Sequence, residues 1–408
     1  MRLLLGLVGA AVLAFSPASI HRIRPLGHAY PGGGYTGDVY VHRGFAYLSS
    51  WHGNDCPAQG VRVYDLAKPA HPRRVATFAD AAADIGVRGT WTEKTIVQQV
   101  ATPSFTGQLA AVSFQNCPST NSFRGFGLYD VTNPRTPKQL SLVRTDPGGS
   151  HEIWLQNVGR HAYVYTAIPL AEFPGQLPSP GFRIFDATDP RHPVEVGSWI
   201  APETMKVKAR KVGTFVHSVR VNPAGTRAYL SYWNLGTIIL DISKPAHPVY
   251  LGRTTDTQGF AHSTAITPNG KVMIETHETA GGRPSIWDIS NPRKPKLLSI
   301  VKPPAKLVDA ATNGGADGIF LGVHDPKIIG QRAYFSWYSL GVLVFDISKP
   351  RHPRFVAQFL PPASKDPEKG FCGAAKSRCT ATWGVYPTKT YVAAADMVGG
   401  LWTFRPPR

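Results

Sequence analysis

The chain has 408 residues, of which 42% are hydrophobic and 11% aromatic, so it is long enough to bury a large core. It carries 44 Lys and Arg against 26 Asp and Glu, a formal net charge of +18 that favours anionic partners. The basic residues are scattered, with one dense cluster at residues 206–211, and this distribution argues against a nucleic-acid-binding protein.

The N-terminus has the pattern of a secretory signal peptide. A basic start is followed by the apolar residues 3–15 and by the small-residue exit 16–18, so we expect cleavage near Ala18. Residues 1–18 would then be removed, leaving residues 19–408 as one secreted or extracytoplasmic domain. The apolar run is too short to span a membrane comfortably, so an uncleaved anchor is the weaker alternative and we expect no membrane span in the mature chain.

A repeated pattern runs along nearly the whole remaining chain. Its clearest copy, residues 236–248, reads Gly, four strand-forming residues, Asp, an apolar residue, a small polar residue, any residue, Pro, two more residues and Pro. Six copies, roughly 45 to 65 residues apart, are anchored on aspartates: Asp65, Asp130, Asp186, Asp241, Asp288 and Asp346. A degenerate seventh copy, residues 400–405, has Arg405 in the Asp position. This period is typical of a repeat architecture.

Each repeat predicts four short strands. Residues with high strand propensity precede each Asp, the paired prolines end that strand, and a second apolar run follows. A glycine-bearing hairpin lies upstream, most clearly at residues 219–230. No helical periodicity of useful length appears beyond the N-terminus. Seven such units predict an all-β fold, a seven-bladed β-propeller of four-stranded antiparallel blades.

The last repeat ends soon after its third strand. We expect residues 20–27, an N-terminal strand, to supply the missing fourth strand and so close the ring, because closure removes exposed sheet edges. The alternative is a disordered mature N-terminus.

The Gly, Asp and paired-Pro pattern resembles the LVIVD repeat over roughly residues 35–408. That repeat occurs in bacterial, often secreted, β-propellers. The resemblance implies the fold, but a propeller by itself implies no particular biochemical role.

The four cysteines can form disulfides in an exported protein. Cys56 and Cys117 each precede a proline in equivalent loops of adjacent blades, so we pair Cys56 with Cys117 and, by default, Cys372 with Cys379. Four cysteines allow three pairings. A metal site is the weaker alternative because no C-x-x-C spacing occurs.

The histidines fall into two repeated positions. One group lies between the motif prolines and should face solvent: His71, His192, His247 and His352. The other group begins the first predicted strand of blades three to six: His151, His217, His262 and His324. The first strand of a propeller blade lines the central channel, so this group should surround one mouth. By alignment, Gln99 in blade two and Trp383 in blade seven hold the equivalent place.

The second strand of each blade ends at the same face and should add further ligand-binding side chains: His52, Trp233, His277, Glu278 and Trp337. Imidazoles, carboxylates and aromatic rings together are typical of a ligand pocket. Four convergent imidazoles would also suit iron, copper or zinc. In layout alone this is similar to the carotenoid-cleaving oxygenases, which are seven-bladed propellers with four histidines on an axial iron.

Two functions are compatible with this pattern. The first, which the fold alone favours, is a monomeric ligand- or protein-binding scaffold at the cell surface. Its ligand or partner is unidentified, and the net charge would suit an anionic one. The second is a metal-dependent oxidoreductase or hydrolase with a His151, His217, His262 and His324 centre. Purely structural histidines are a third possibility, but their absence from blades one, two and seven argues against it. No phosphate-binding glycine loop, dinucleotide fingerprint or zinc-protease motif occurs.

Overall fold

The computed structural model describes residues 20–408 except 52–59, 81–84, 118–121, 173–178, 206–212, 256–257, 313–320, 369–370 and 373–377. The described residues form seven antiparallel sheets arranged as a seven-bladed β-propeller, so the predicted fold is confirmed. The predicted signal peptide, residues 1–18, lies outside the described residues and stays a prediction.

Each blade has four strands, which in blades 1 to 6 follow chain order from the channel outward. Blade 1 consists of Tyr35–His42, Phe45–Trp51, Val61–Asp65 and Arg73–Phe78. Blade 2 consists of Thr95–Ala101, Thr106–Asn116, Gly125–Asp130 and Lys138–Arg144. Blade 3 consists of Glu152–Val158, His161–Ala167, Phe182–Asp186 and Val194–Trp199. Blade 4 consists of Val216–Val221, Arg227–Tyr232, Gly236–Asp241 and Val249–Arg253.

The remaining blades follow the same order. Blade 5 consists of Ala261–Ile266, Val272–His277, Ser285–Asp288 and Lys296–Ile300. Blade 6 consists of Pro326–Ile329, Arg332–Ser336, Val342–Asp346 and Arg354–Phe359. Blade 7 consists of Thr382–Pro387, Val392–Asp396, Gly400–Phe404 and Pro25–Ala29. The seven first strands contact one another in ring order and line the channel.

The N-terminus closes the ring as predicted, with a shifted boundary. Pro25–Ala29 pairs antiparallel with Gly400–Phe404 and is the fourth strand of blade 7. The short strand Arg22–Ile23 pairs instead with blade 6, in parallel, at Gln358 and Phe359. Both ends of the chain are therefore held in the same seam.

The insertions carry the irregular elements. Blade 2 gains the strand Thr90–Trp91, and a small hairpin joins Ser364–Lys365 to Arg378–Cys379. The 3₁₀ helices are Ile85–Val87, Pro169–Glu172 and Glu203–Met205. The α-helix Ala305–Thr312 was not predicted, because eight residues are too few for a clear 3.6-residue period. No helix among the described residues is long and apolar enough to cross a membrane.

The repeated prolines have a packing role between blades. Three glycines on fourth strands sit against the carbonyl oxygen of the first motif proline in the next blade. A Cβ added to any of them would lie 2.0–2.4 Å from that oxygen: Gly27 on Pro69, Gly197 on Pro245 and Gly252 on Pro292. In two other blades a serine hydroxyl donates to the same carbonyl: Ser141 to Pro190 at 2.7 Å and Ser299 to Pro350 at 2.6 Å. The closing strand therefore docks on blade 1 as the fourth strands of blades 3 and 4 dock on the blades that follow them.

The Asp of each motif forms a local turn. Its Oδ1 accepts a hydrogen bond from the backbone N–H two residues later, as Asp241 does from Ser243 at 2.9 Å. The four histidines between the motif prolines are exposed, as expected. The disulfide Cys372–Cys379 is present, with a Cα–Cα distance of 5.5 Å. Its predicted counterpart involves Cys56, which lies outside the described residues, so the Cys56–Cys117 pairing stays a prediction.

Gly27→Ala should lower the free energy of unfolding by about 2 kcal/mol or more, because its Cβ would collide with backbone atoms of Pro69 and Ala70. Gly44→Ala is the control, since Gly44 faces open space and only its left-handed backbone is strained, at about 1 kcal/mol. Urea denaturation measures both. Equal stability of Gly27→Ala and the unmodified protein would contradict this packing.

Candidate functional site

A cavity of about 380 Å³ opens at the mouth where the first strands begin. Six blades each contribute one side chain to a layer across the channel: Glu93, His151, His217, His262, His324 and Trp383. In blade 1 the equivalent residue is Gly37. It has no side chain, and an added Cβ would lie only 3.1 Å from the backbone oxygen of Glu93. We call this set the imidazole layer.

The four predicted histidines form a continuous row within the imidazole layer. The ring centroids are 4.5 Å apart for His151 and His217, 4.1 Å for His217 and His262, and 4.2 Å for His262 and His324. Trp383 continues the row, 3.9 Å from the His324 ring, and its indole N–H donates to Glu93 Oε1 at 2.6 Å. The row therefore brings together side chains from blades 3 to 7, and Glu93 adds one from blade 2.

The Nδ1 atoms of three histidines face oxygen acceptors. His217 Nδ1 donates to the backbone carbonyl of His262 at 3.2 Å, and His262 Nδ1 donates to that of His324 at 2.8 Å. His151 Nδ1 lies 2.5 Å from Oε1 of Gln115. A carbonyl oxygen can only accept, so each Nδ1 carries the hydrogen and Nε2 of the neutral ring keeps its lone pair. This orientation is the one typical of metal-ligating histidines.

Two close contacts made by Nε2 atoms lie beneath the cavity. Those of His151 and His217 are 2.9 Å apart, and His262 Nε2 lies 3.3 Å from Oε2 of Glu278. The ligand atoms of His217, His262 and Glu278 all lie within 4.8 Å of one another. His324 is fully buried, and neither of its ring nitrogens makes a hydrogen bond to a described residue.

The local electrostatics keep these imidazoles neutral. Burial lowers the pKa of His217 well below its usual value, and the neighbouring His262 and His151 lower it further. Burial likewise lowers the pKa of His262 and His324. Burial raises the pKa of Glu278 to about 7, although the Tyr338 hydroxyl, which donates to Glu278 Oε1, opposes the shift. The imidazole layer therefore presents uncharged nitrogen donors.

Aromatic side chains form the wall above the imidazole layer. Trp233 stacks between Phe215 and His217, with centroid distances of 5.2 and 5.0 Å. Trp51 lies 6.1 Å from Trp91 and 5.8 Å from Trp383. The polar groups that line the cavity are Gln115, Glu278 and the imidazoles. The wall therefore shields the nitrogen donors from bulk water.

The structure separates the other predicted residues. Trp233, Glu278 and Trp383 line the cavity, as expected. His277 lies within blade 5, with Nδ1 2.9 Å from the Gly259 carbonyl and Nε2 3.1 Å from Ser285 Oγ. Trp337 is in the core, where its indole N–H donates to the Leu321 carbonyl at 2.6 Å. Neither of these two lines the cavity. His52 lies outside the described residues, so its role stays a prediction.

Gln99 was placed wrongly at the mouth. It is exposed near the far end of its strand, where Gln108 donates to it, and Glu93 holds the place expected for it. The alignment counted back from the hairpin glycine, but the first two strands of blade 2, Thr95–Ala101 and Thr106–Asn116, are longer than those of blade 4. The fixed offset therefore fails in this blade.

A second layer, which the sequence reasoning missed, lies one residue further along the same strands. Lys94, 2% exposed, points into the channel, and its Nζ contacts Asp38 at 2.9 Å, Glu152 at 2.8 Å and Asp325 at 3.3 Å. Burial alone would lower the pKa of Lys94, but the three carboxylates together raise it well above its usual value. Lys327 also contacts Asp325. We call Lys94 and its three carboxylates the lysine cluster.

The aromatic wall was missed as well, although one signal for it was available. Trp51 is the last residue of the second strand of blade 1, and Trp233 directly follows the second strand of blade 4. The two tryptophans therefore occupy similar places in their blades. Trp91 lies in the blade 2 insertion, and Phe215 precedes the first strand of blade 4. Trp91 has no counterpart in the repeat, but Phe215 does. Phe215 and Phe260 stand two residues before His217 and His262, so a comparison of blades 4 and 5 gives a second signal.

Comparison with known proteins agrees with the architecture. Residues 219–256, which include most of blade 4, match the LVIVD repeat. The chain is a seven-bladed β-propeller that contains an LVIVD repeat. No curated protein matches the sequence.

The solved structures that resemble this LVIVD propeller share its fold at low sequence identity. Raptor from Chaetomium thermophilum has a TM-score of 0.60 and 12% identity over 95% of this chain and 30% of the Raptor chain. This chain thus spans under a third of that protein. The computationally designed Ika8 protein has a TM-score of 0.51 and 8% identity over 94% of this chain and 99% of its own. At these identities the likeness concerns the fold alone.

Lys94→Met should lower the free energy of unfolding by about 3 to 5 kcal/mol, because it leaves three buried carboxylates without their shared cation. Lys271→Met, an exposed site on the same propeller, should change it by less than about 0.5 kcal/mol. Chemical denaturation followed by tryptophan fluorescence compares the two. If Lys94→Met were as stable as the unmodified protein, the lysine cluster would not hold the channel together.

Proposed function

We propose that this LVIVD propeller is a metal-dependent enzyme, an oxidoreductase or a hydrolase, acting on a small ligand bound at the histidine-bearing mouth. His151, His217, His262 and His324 would hold one transition-metal ion, with Glu278 beside them. The observation that supports this most directly is the 2.9 Å separation of two Nε2 atoms, on His151 and His217.

The physical argument concerns lone pairs. With both Nδ1 atoms against oxygen acceptors, the two Nε2 atoms would direct lone pairs at each other, which is repulsive. A proton between them would create a buried charge, and the lowered pKa of His217 disfavours that. A metal ion removes the repulsion, and ligands at about 2.0 to 2.2 Å from one ion lie about 3 Å from each other.

The donor set restricts the choice of metal. Neutral imidazoles with one carboxylate suit iron, copper or zinc and do not suit calcium or magnesium, which prefer oxygen ligands. Redox chemistry would follow from iron or copper, and hydrolysis from zinc. The protein's own contribution is to fix the imidazole orientation through backbone carbonyls and to exclude water with the aromatic wall.

A binding scaffold remains the second candidate, because the LVIVD propeller fold is well suited to binding and the aromatic wall can hold a ligand without a metal. We propose that the protein acts outside the cytoplasm, at the cell surface, as a monomer. The Cys372–Cys379 disulfide supports an oxidising compartment, and the net charge of +18 suits an anionic partner.

The test is metal analysis of untagged protein purified from the exported fraction. We expect about one equivalent of iron, copper or zinc per chain, and its loss in His217→Ala/His262→Ala. His247→Ala/His352→Ala is the matched control, because it removes two exposed turn histidines and should keep the metal.

Circular dichroism shows whether each variant folds. A folded propeller that takes up no metal when incubated with iron, copper or zinc salts would overturn the enzyme proposal. The binding scaffold would then remain. Equal metal loss in both double variants would mean adventitious binding by histidines.

A further inference from the structure

We propose that the seam where the two chain ends meet is a binding groove for a phosphate-bearing linear polymer. The groove measures about 410 Å³ and contains four arginines from two segments: Arg22, Arg24, Arg405 and Arg408. It lies at the outer edge of the ring, at the end of the third strand of blade 7, and shares no residue with the cavity at the mouth. It is therefore independent of the proposed metal site.

The end of the third strand in blade 7 differs from the same place in the other six blades. In six blades the third strand ends on the motif Asp, and in four of these the residue opposite on the fourth strand is basic: Arg73, Lys138, Lys296 and Arg354. Two of the resulting ion pairs measure 3.8 Å for Arg73 with Asp65 and 3.2 Å for Arg354 with Asp346. The usual arrangement is thus a carboxylate facing a cation.

Blade 7 reverses the charge at that place. Arg405 stands in the Asp position, and continuing the register of Phe404 with Pro25 by one residue aligns Arg24 with it. Like charges opposite each other in a sheet are destabilising. None of the described residues forms an ion pair with Arg24 or Arg405. An oxyanion bound between the two guanidiniums would remove this repulsion.

Phosphate matches the groove better than carboxylate. A guanidinium fork pairs with two oxygens of an anion, and a phosphate group has enough oxygens and charge to serve two forks at once. Arg22 and Arg408 extend the basic surface beyond the central pair, so adjacent phosphates of one chain could be bound together. A linear polymer fits this arrangement.

Two other phosphate sources fit less well. The groove contains none of the large exposed hydrophobic side chains found elsewhere among the described residues, so it offers nothing to insert into a bilayer. It also contains no Phe, Tyr or Trp on which a nucleobase could stack, and its one aromatic ring is the small imidazole of His21. The ligand we infer is a phosphate chain without bases or lipid tails.

The experiment is titration of a short, fluorescently labelled inorganic polyphosphate with the full chain, read by anisotropy at fixed salt. Arg24→Gln/Arg405→Gln should weaken binding about tenfold or more. Arg73→Gln/Arg354→Gln removes the same charge at the equivalent repeat position and should weaken it less than about twofold. Equal losses would mean that net charge alone attracts the polymer, which would overturn the proposal.

A second variant separates binding from folding. Arg405→Asp restores the motif Asp opposite Arg24, so it should abolish polyphosphate binding while raising the thermal midpoint by about 1 to 2 °C. Retained binding, or a lower midpoint, would contradict the like-charge argument. Vesicles of phosphatidylglycerol and a single-stranded oligonucleotide are the alternative probes, and tighter binding of either would overturn the choice of ligand. Metal content should be the same in every variant of this groove.

Discussion

The lysine cluster is the interaction on which the rest of the site depends. Lys94 comes from blade 2, and its three carboxylates come from blades 1, 3 and 6, on different sides of the channel. A buried ammonium is tolerated only when it is fully paired, so the blades must meet in a register that brings all four groups together. Glu152 and Asp325 directly follow His151 and His324 in sequence. The register that satisfies Lys94 therefore also aligns the imidazole layer.

This layering divides the channel by charge. Lys327 and Arg220, which both contact Asp325, bring the cations around the lysine cluster to three, against its three carboxylates. The imidazole layer above it is made mostly of neutral rings. Burial first, and the Lys94 ammonium in addition, lower the pKa of His217, His262 and His324, which leaves nitrogen lone pairs available. The arginine seam lies at the outer edge of blade 7 and shares no residue with the cavity at the mouth. The two proposed sites therefore use different chemistry at separate places on the propeller.

Much of the fold was predictable because the repeat records it. The Asp and paired prolines mark a turn and an inter-blade contact that recur around the ring, and a missing fourth strand in blade 7 required a donor from the N-terminus. The histidine row was predictable for the same reason, since His151, His217 and His262 keep one offset from their hairpin glycines. Lys94 and Glu93 were hidden because blade 2 has longer strands. His277 and Trp337 were misplaced because adjacent strand residues point to opposite sides, which a position alone does not reveal.

The most direct test of the account is X-ray absorption spectroscopy at the edge of the bound metal in the full-length protein. The account predicts nitrogen ligands at about 2.0 to 2.1 Å with the outer-shell scattering of three or four imidazoles. A first shell made only of oxygen, or a spectrum unchanged when His217 and His262 are both replaced by alanine, would show that the metal lies elsewhere and contradict the central claim.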